Sequence, residues 1–187
     1  MTEADHQLSI EDISPEFIEA LTWESYEKKP QIDGIKREKV KCHLAEDGSF
    51  SELVRLTKDG LLELEEIPPF RLRQINYSEA IKGTTKAWHL HFEQDEIWYI
   101  AQGRLIVGLM DLREDSPTKG LVMRLILSAN QPELLYIPRG VAHGLANRSE
   151  ETVKMFYLVN NQYDGSDEGR LPSGTVVGQD FWEIQKG

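Results

Sequence analysis

From Ile32 onward, short runs rich in β-branched and aromatic residues alternate with turn signals such as D-G, P-P, S-P-T-K-G and P-R-G. Short runs of this kind, bounded by glycine and proline, are typical of β-strands, and many of them in succession favour an antiparallel sandwich or barrel. The pattern therefore predicts an all-β fold. The predicted strands are Ile35–His43, Phe50–Thr57, Phe70–Ser78, Trp88–Phe92, Glu96–Ala101, Arg104–Leu112, Leu121–Leu127, Leu134–Ile137 and Val153–Val159.

The first 30 residues differ in character from the rest of the chain. Ser14, followed by Pro15 in S-P-E, is a helix start signal, with serine as the cap and proline in the first turn. Apolar residues then recur at helical spacing, at Phe17, Ile18 and Leu21. We predict a helix of about three turns that Pro30 stops, within an arm over residues 1–30 that packs on the sheet or on a second subunit. The β-rich domain is predicted to cover residues 31–187.

Composition and charge limit the partners that this chain can have. Its 187 residues are enough for one well-packed domain, and the formal net charge of −11 argues against a nucleic-acid partner. The single cysteine, Cys42, cannot form an internal disulfide and fits a reducing compartment. No stretch has the features of a signal peptide or the length of a membrane span. We therefore expect a cytoplasmic protein with no nucleic-acid or membrane partner.

The segment Gly83–Gly103 contains three residues with the chemistry of metal ligands. His89 and His91 are two residues apart, so on a β-strand both side chains point to the same face. After a short polar turn, Glu96 opens the next predicted strand and can return its carboxylate to that face. The spacing predicts that these three side chains converge.

A second segment, Pro138–Asn147, supplies His143 as a fourth candidate ligand. Three imidazoles and one carboxylate suit iron, manganese, nickel, cobalt or zinc better than calcium or magnesium, which prefer oxygen ligands. The alternative is that these histidines lie in a core or on a surface without a ligand role. We predict one divalent transition-metal ion bound by His89, His91, Glu96 and His143.

Both segments resemble the two motifs of the cupin family, G-x5-H-x-H-x4-E-x6-G and P-x-G-x2-H-x3-N. The matches are Gly83, His89, His91, Glu96 and Gly103 in the first motif, and Pro138, Gly140, His143 and Asn147 in the second. The resemblance implies a double-stranded β-helix, or jelly roll, over the domain at residues 31–187.

Over a longer stretch, the chain resembles the nucleotide-sugar 3,5-epimerases. This resemblance implies that the predicted domain is an RmlC-like cupin. The similar segments, in order between Ile32 and Arg170, are D-G-S-F-S-E, Q-I-N-Y-S, D-L-R-E-D-S-P-T-K-G and L-Y-I-P-R-G-V-A-H-G. This resemblance implies that His89, in K-A-W-H, corresponds to the catalytic base. It also implies that Tyr157 is the aromatic acid candidate, although Tyr157 alternates with apolar residues and could serve only the core.

Several residues depart from the epimerase pattern. The family's histidine is metal-free, and the positions of His91 and Glu96 usually hold a glutamine and a lysine. Asp47 and Lys86 each stand where an arginine is expected, and the aspartate that orients the catalytic histidine has no clear counterpart. Because a nitrogen that coordinates a metal cannot also abstract a proton, His89 is predicted either as a ligand or as a free base.

The preferred hypothesis is a metal-binding epimerase or isomerase that acts on a nucleotide-linked keto-sugar. The ion would act as a Lewis acid, and Tyr157 would move a proton. One alternative is an iron-dependent dioxygenase, since four protein ligands leave two open positions on an octahedral ion. Another is a non-catalytic sugar-binding cupin. The sequence does not select the metal.

Further residues are candidates for binding a small carbohydrate substrate. They are Lys86, Glu52, Arg113 and Trp98. For the cations, the alternative is a solvated or carboxylate-paired surface group, and for the tryptophan it is a place in the core. Since antiparallel sandwiches expose edge strands that pairing can cover, we also predict a homodimer built through sheet edges.

Overall fold

A computed structural model describes residues 7–23, 27 and 29–185 of the chain. The chain divides into an N-terminal segment that ends at Lys29 and a unit that spans Pro30–Gln185. Within the described residues, no helix is long and apolar enough to cross a membrane.

The N-terminal segment contains less helix than its sequence predicts. A 3-10 helix at Ile10–Asp12 is followed by one helical turn, α1, at Pro15–Ile18. None of the residues in these two elements is buried, so no packing stabilises further turns, and short helices are marginal without it. The predicted length of about three turns is therefore wrong. Residues 24–26 and 28 of the predicted range lie outside the described part of the chain.

The unit Pro30–Gln185 is built from short antiparallel strands. They are β1 Lys36–Lys39, β2 His43–Ala45, β3 Gly48–Phe50, β4 Gln74–Ala80, β5 Thr85–Leu90, β6 Glu96–Gln102, β7 Arg104–Asp111, β8 Val122–Ser128, β9 Glu133–Ile137, β10 Val141–Ala146, β11 Val153–Val159 and β12 Gly169–Arg170. Two 3-10 helices, Gly165–Asp167 and Gln179–Trp182, flank the last strand.

The strands form two five-stranded sheets and a separate hairpin. The strand order is β1-β9-β6-β11-β4 in the first sheet and β12-β5-β10-β7-β8 in the second, while β2 pairs only with β3. Apolar side chains of both sheets, such as Trp98 and Leu135 from the first and Leu109 and Leu127 from the second, form the main core. The architecture is the expected jelly roll.

Most predicted strands are present, with shifted ends, and Val153–Val159 is reproduced as predicted. The predicted strand Phe50–Thr57 is wrong, because β3 ends at Phe50 and Leu56 makes only an isolated bridge to Leu62. Ile35–His43 is likewise interrupted after Lys39. Phe50 is 67% exposed and adds no core contact that would extend β3, while Leu53 and Val54 pack against a core cluster without belonging to a strand.

Candidate active site

A cavity of about 370 Å³ opens between the two sheets. Strands β4, β6 and β11 of the first sheet and β5 and β10 of the second contribute side chains to its lining, and the segment from Tyr163 to Arg170 closes one side. The predicted residues that line it are His89, His91, Glu96, His143, Tyr157, Lys86 and Trp98. These seven predicted site residues therefore lie around one cavity.

Strand pairing sets the positions of the histidines. His89 on β5 is the Cα partner of His143 on β10 and of Arg170 on β12. Strand β5 ends at Leu90, so His91 lies one residue beyond it, and both His89 and His91 face the cavity. The predicted shared face is confirmed.

Three of the four predicted ligands form a compact buried cluster. The ligand atoms of His91, Glu96 and His143 lie within 4.8 Å of one another. Nε2 of His91 is 3.2 Å from Oε1 of Glu96, and Nε2 of His143 is 3.7 Å from Oε2. Among the described residues this is the group with metal-ligand spacing, and His89 is not part of it. The ring of His89 instead stacks near His143, at a centroid distance of 6.2 Å.

Glu96 is the charged centre of this cluster. Its carboxylate accepts hydrogen bonds from Nε1 of Trp98 at 2.6 Å and from Nε2 of Gln94 at 2.9 Å. Burial alone would raise the pKa of Glu96, but the charge of His143 and the bonds from His91 and Trp98 outweigh it and lower the pKa to about 2. Glu96 is therefore an anion that a cation can neutralise.

The two clustered histidines point the same nitrogen towards Glu96. Nδ1 of His91 lies 2.9 Å from the backbone oxygen of Asp167, and Nδ1 of His143 lies 3.1 Å from that of Val141. A ring that donates through Nδ1 has Nε2 free as a ligand or acceptor. Burial lowers the pKa of His143. Burial also acts to lower the pKa of His91, but the contact with Glu96 outweighs it, so the pKa of His91 is raised.

His89 has different surroundings. No side chain of residues 7–23, 27 and 29–185 makes a hydrogen bond to its ring. Burial and then the charge of Arg170 lower the pKa of His89, while the carboxylate of Glu168 acts in the opposite direction. The ring is therefore neutral near pH 7 and able to accept a proton. The carboxylate partner that the epimerase resemblance calls for has no hydrogen-bonded equivalent here.

Tyr157 and Lys86 lie on opposite sheets of the cavity. Tyr157 on β11 is half-buried, packs against the main core and also lines the cavity. Burial, followed by the charges of Glu96 and Glu168, raises the pKa of Tyr157 and keeps its hydroxyl protonated. Nζ of Lys86 on β5 donates to Oγ of Ser78 at 3.3 Å and stays exposed at the cavity edge.

Two predicted substrate-binding residues lie elsewhere. Arg113 is outside the cavity lining, and its guanidinium donates to the carboxylate of Asp111 and to the backbone oxygen of Asp33. Glu52 lies in a separate groove beside β1 and pairs with Arg55 at 2.9 Å. These contacts satisfy the charges of both residues within the chain.

The cavity also contains polar residues that were not predicted individually. Gln74, Asn76 and Ser78 alternate along β4 and all face inward. The alternation inside Q-I-N-Y-S indicates that these three side chains share one face of a strand, but polar residues on an edge strand would ordinarily be expected to face solvent. Asp167 gave no comparable signal, because it approaches His91 only through the fold.

The sequence matches the family model described as dTDP-4-dehydrorhamnose 3,5-epimerase over residues 29–174. The chain therefore belongs to that family of epimerases, and it is an enzyme. This membership disfavours the non-catalytic sugar-binding alternative.

Similar proteins extend over most of the chain. The spore coat polysaccharide biosynthesis protein SpsL of Bacillus subtilis is 38% identical over 143 residues, which are 75% of this chain and 89% of that protein. The probable low-salt glycan biosynthesis epimerase Agl13 of Haloferax volcanii is 33% identical, over 83% and 97%. The crystal structure of dTDP-4-dehydrorhamnose 3,5-epimerase from Elizabethkingia anophelis superposes with a TM-score of 0.68 at 27% identity, covering 85% and 86%.

Proposed function

We propose that this enzyme epimerises a 4-keto sugar that is linked to a nucleoside diphosphate, with dTDP as the first candidate. The observation that carries the proposal is the placement of a neutral, uncoordinated His89 and a protonated Tyr157 on the two sheets that enclose one cavity. The names of the similar proteins, which refer to dTDP sugars and to polysaccharide or glycan biosynthesis, support the substrate class.

The chemistry is proton exchange next to a ketone. His89 takes the proton from the carbon beside the carbonyl, and the electron pair of that C–H bond moves into the enolate. Tyr157 returns a proton to the opposite face of the same carbon, which inverts it. His89 then loses a proton and Tyr157 regains one through solvent, so the enzyme returns to its starting state.

Two basic side chains of the cavity can contact a diphosphate, although the lining also contains the acidic residues Glu96, Asp164, Asp167 and Glu168. Lys86 and Arg170 are the lysine and arginine in the lining, and they lie on the adjacent strands β5 and β12. The polar side chains of Gln74, Asn76 and Ser78 supply donors and acceptors for sugar hydroxyls. Glu96 is buried, and its carboxylate accepts hydrogen bonds from Trp98 and Gln94.

We further propose that His91, Glu96 and His143 hold a divalent transition-metal ion. The fit rests on the donor types and on ligand atoms that lie within 4.8 Å of one another. When bound, such an ion would supply Lewis-acid stabilisation of the enolate oxygen. Because His89 is outside the cluster, it can serve as a base while the other three residues serve as ligands. The predicted four-ligand set stays a prediction.

One observation favours a second candidate function. Two histidines and one carboxylate are the ligand set of non-haem iron(II) oxygenases. An iron-dependent dioxygenase therefore stays the alternative. Oxygen consumption by the iron-loaded enzyme, together with no proton exchange on keto-sugars, would favour it.

The test combines proton exchange with metal analysis. Protein purified without a nickel column is incubated with dTDP-4-keto-6-deoxyglucose in heavy water, and deuterium incorporation is followed by NMR. We expect incorporation that falls by about 10²- to 10⁴-fold in His89→Asn, the usual contribution of a general base. His43→Asn is the matched control, because His43 is exposed on β2 and away from the cavity.

Metal analysis of the same samples gives the role of the ion. We expect about one divalent ion per chain in the wild type and a loss of that ion in Glu96→Gln. Exchange that persists unchanged in His89→Asn would overturn the assignment of the base. Full activity of protein that contains no metal would overturn the metal part alone.

A further inference from the structure

We propose that Asp167 is a positioning residue that fixes both the ring of His91 and the turn leading to Glu96. The inference rests on the proposed metal site and adds a residue to it. Asp167 is not one of the clustered ligands, and it comes from a segment far along the chain, in the 3-10 helix Gly165–Asp167.

The carboxylate of Asp167 accepts hydrogen bonds from three backbone N–H groups of the β5–β6 turn. Its Oδ1 accepts from the backbone nitrogens of Phe92 at 2.7 Å and Glu93 at 3.0 Å, and its Oδ2 accepts from that of Gln94 at 3.1 Å. Asp167 is 7% exposed, so water does not compete effectively for these bonds. Three consecutive N–H groups of the turn are thereby directed at one side chain.

The backbone carbonyl group of Asp167 contacts the ring of His91 and orients it. Its carbonyl oxygen lies 2.9 Å from Nδ1 of His91, which places the ring proton on Nδ1. Nε2 points towards Glu96, at 3.2 Å from Oε1, and is the ring nitrogen that would bind an ion. Hydrogen bonds of this kind commonly fix the tautomer and orientation of metal-binding histidines.

The two roles are linked by the chain itself. The turn that the Asp167 carboxylate holds begins directly after His91 and ends directly before Glu96. A displacement of Asp167 would therefore change the direction of the His91 ring and the start of β6 together. The distance between two of the proposed ligands therefore depends on a residue outside the ligand cluster.

A second buried aspartate allows a matched control. Asp111 is 0% exposed and also accepts several hydrogen bonds, but from Arg113, Ser116 and Thr118 in a loop outside the cavity. Substitution of either aspartate by asparagine removes a charge and one acceptor. Only Asp167 is expected to affect the ligands.

The first measurement is titration of the metal-free enzyme with Co²⁺, followed by calorimetry and by the visible spectrum of the bound ion. We expect Asp167→Asn to weaken Co²⁺ binding by about 10- to 100-fold, as is usual when a residue behind a ligand is lost. Asp111→Asn should leave the dissociation constant unchanged although it destabilises the fold. Equal Co²⁺ affinity in wild type and Asp167→Asn would overturn the proposal.

The second measurement does not need a metal. Long-range ¹H–¹⁵N NMR of histidine-labelled, metal-free protein at alkaline pH reports which ring nitrogen of His91 carries the proton. We expect the Nδ1–H form in the wild type and a mixture in Asp167→Asn. An Nε2–H ring in the wild type would overturn the proposal even if the variant does not fold. If the wild type binds no Co²⁺ but shows the Nδ1–H ring, the metal part of the proposed function fails and the positioning role of Asp167 stands.

Discussion

Gly144 shows how one small residue determines the geometry of the site. It follows His143 at the point where the pairing of β10 with β5 shifts register. A Cβ atom at this position would lie 2.5 Å from the Cβ of Ala87 and 2.9 Å from the backbone oxygen of Lys86. Real Cβ atoms do not approach other atoms so closely, so the backbones of β10 and β5 can meet here only at a glycine.

We therefore expect Gly144→Ala to push β10 away from β5 and to reduce the free energy of unfolding by about 1–3 kcal/mol. Urea denaturation followed by tryptophan fluorescence measures the change. Gly174→Ala is the control, because a Cβ at Gly174 would meet no atom within 4 Å. Equal stability of the two variants would contradict this account of the β10–β5 contact.

At the residue scale, the sequence was informative where the chemistry is local. His89, His91 and Glu96 lie within a few positions of each other, so the two-residue spacing of the histidines and the short turn before Glu96 were enough to predict that they meet in one cavity. Periodicity could not separate His89 from the ligand cluster, because that depends on the end of β5 at Leu90 and on the position of His143 across the sheet. The contact from Asp167 to His91 spans 76 positions and has no local pattern.

At the scale of elements, the connection between β7 and β8 depends on one carboxylate. Asp111, at the end of β7, accepts from Nε of Arg113 at 2.8 Å, from Oγ of Ser116 at 2.5 Å and from Oγ1 of Thr118 at 2.7 Å. These bonds lie inside D-L-R-E-D-S-P-T-K-G, one of the segments that resembles the epimerases. The bonds from Arg113 to Asp111 and to the backbone oxygen of Asp33 explain why Arg113 is not available to a substrate.

The same bonds make the stability of this loop depend on pH. The bond from Arg113, followed by those from Ser116 and Thr118, holds the pKa of Asp111 well below its ordinary value. A lowered folded-state pKa stabilises the fold above the unfolded-state pKa of about 3.9, and that stabilisation is lost as the pH falls through the folded-state pKa. Asn at this position cannot ionise and lacks the effect.

We expect Asp111→Asn to reduce the free energy of unfolding at pH 7 by about 2 kcal/mol, less than a fully buried pair would lose, because Arg113 is partly exposed. The difference from the wild type should shrink as the pH is lowered below about 4. Thermal unfolding of both proteins across this range is the measurement. A difference that grows on acidification would show that Asp111 does not act as an anion.

Element prediction failed for one functional strand in particular. All six residues of β10 are buried, so V-A-H-G-L-A has no alternation of polar and apolar positions, and its glycine reads as a turn. Its place is decided by pairing with β5 on one side and β7 on the other. Strand β11, by contrast, is rich in β-branched and aromatic residues and was located without error.

At the scale of the whole molecule, several exposed apolar side chains lie on or beside an edge strand. Strand β4 is at the edge of the first sheet, and Ile75 and Tyr77 are 56% and 51% exposed on it, with Ile81 directly after it at 66%. Clustered apolar side chains on an edge strand are typical of surfaces that associate. We therefore expect the predicted homodimer to form through β4.

Sedimentation equilibrium at micromolar concentration should give twice the mass of one 21.4 kDa chain. Tyr77→Lys should shift the equilibrium towards monomer, because a charge at the centre of an apolar interface must be desolvated. Ile126→Lys is the matched control, since Ile126 is 44% exposed on β8 at the edge of the other sheet. A wild type that sediments only as monomer would refute the dimer. If the Ile126 variant dissociates and the Tyr77 variant does not, the chain associates through β8, because the two edges belong to different sheets and cannot substitute for each other.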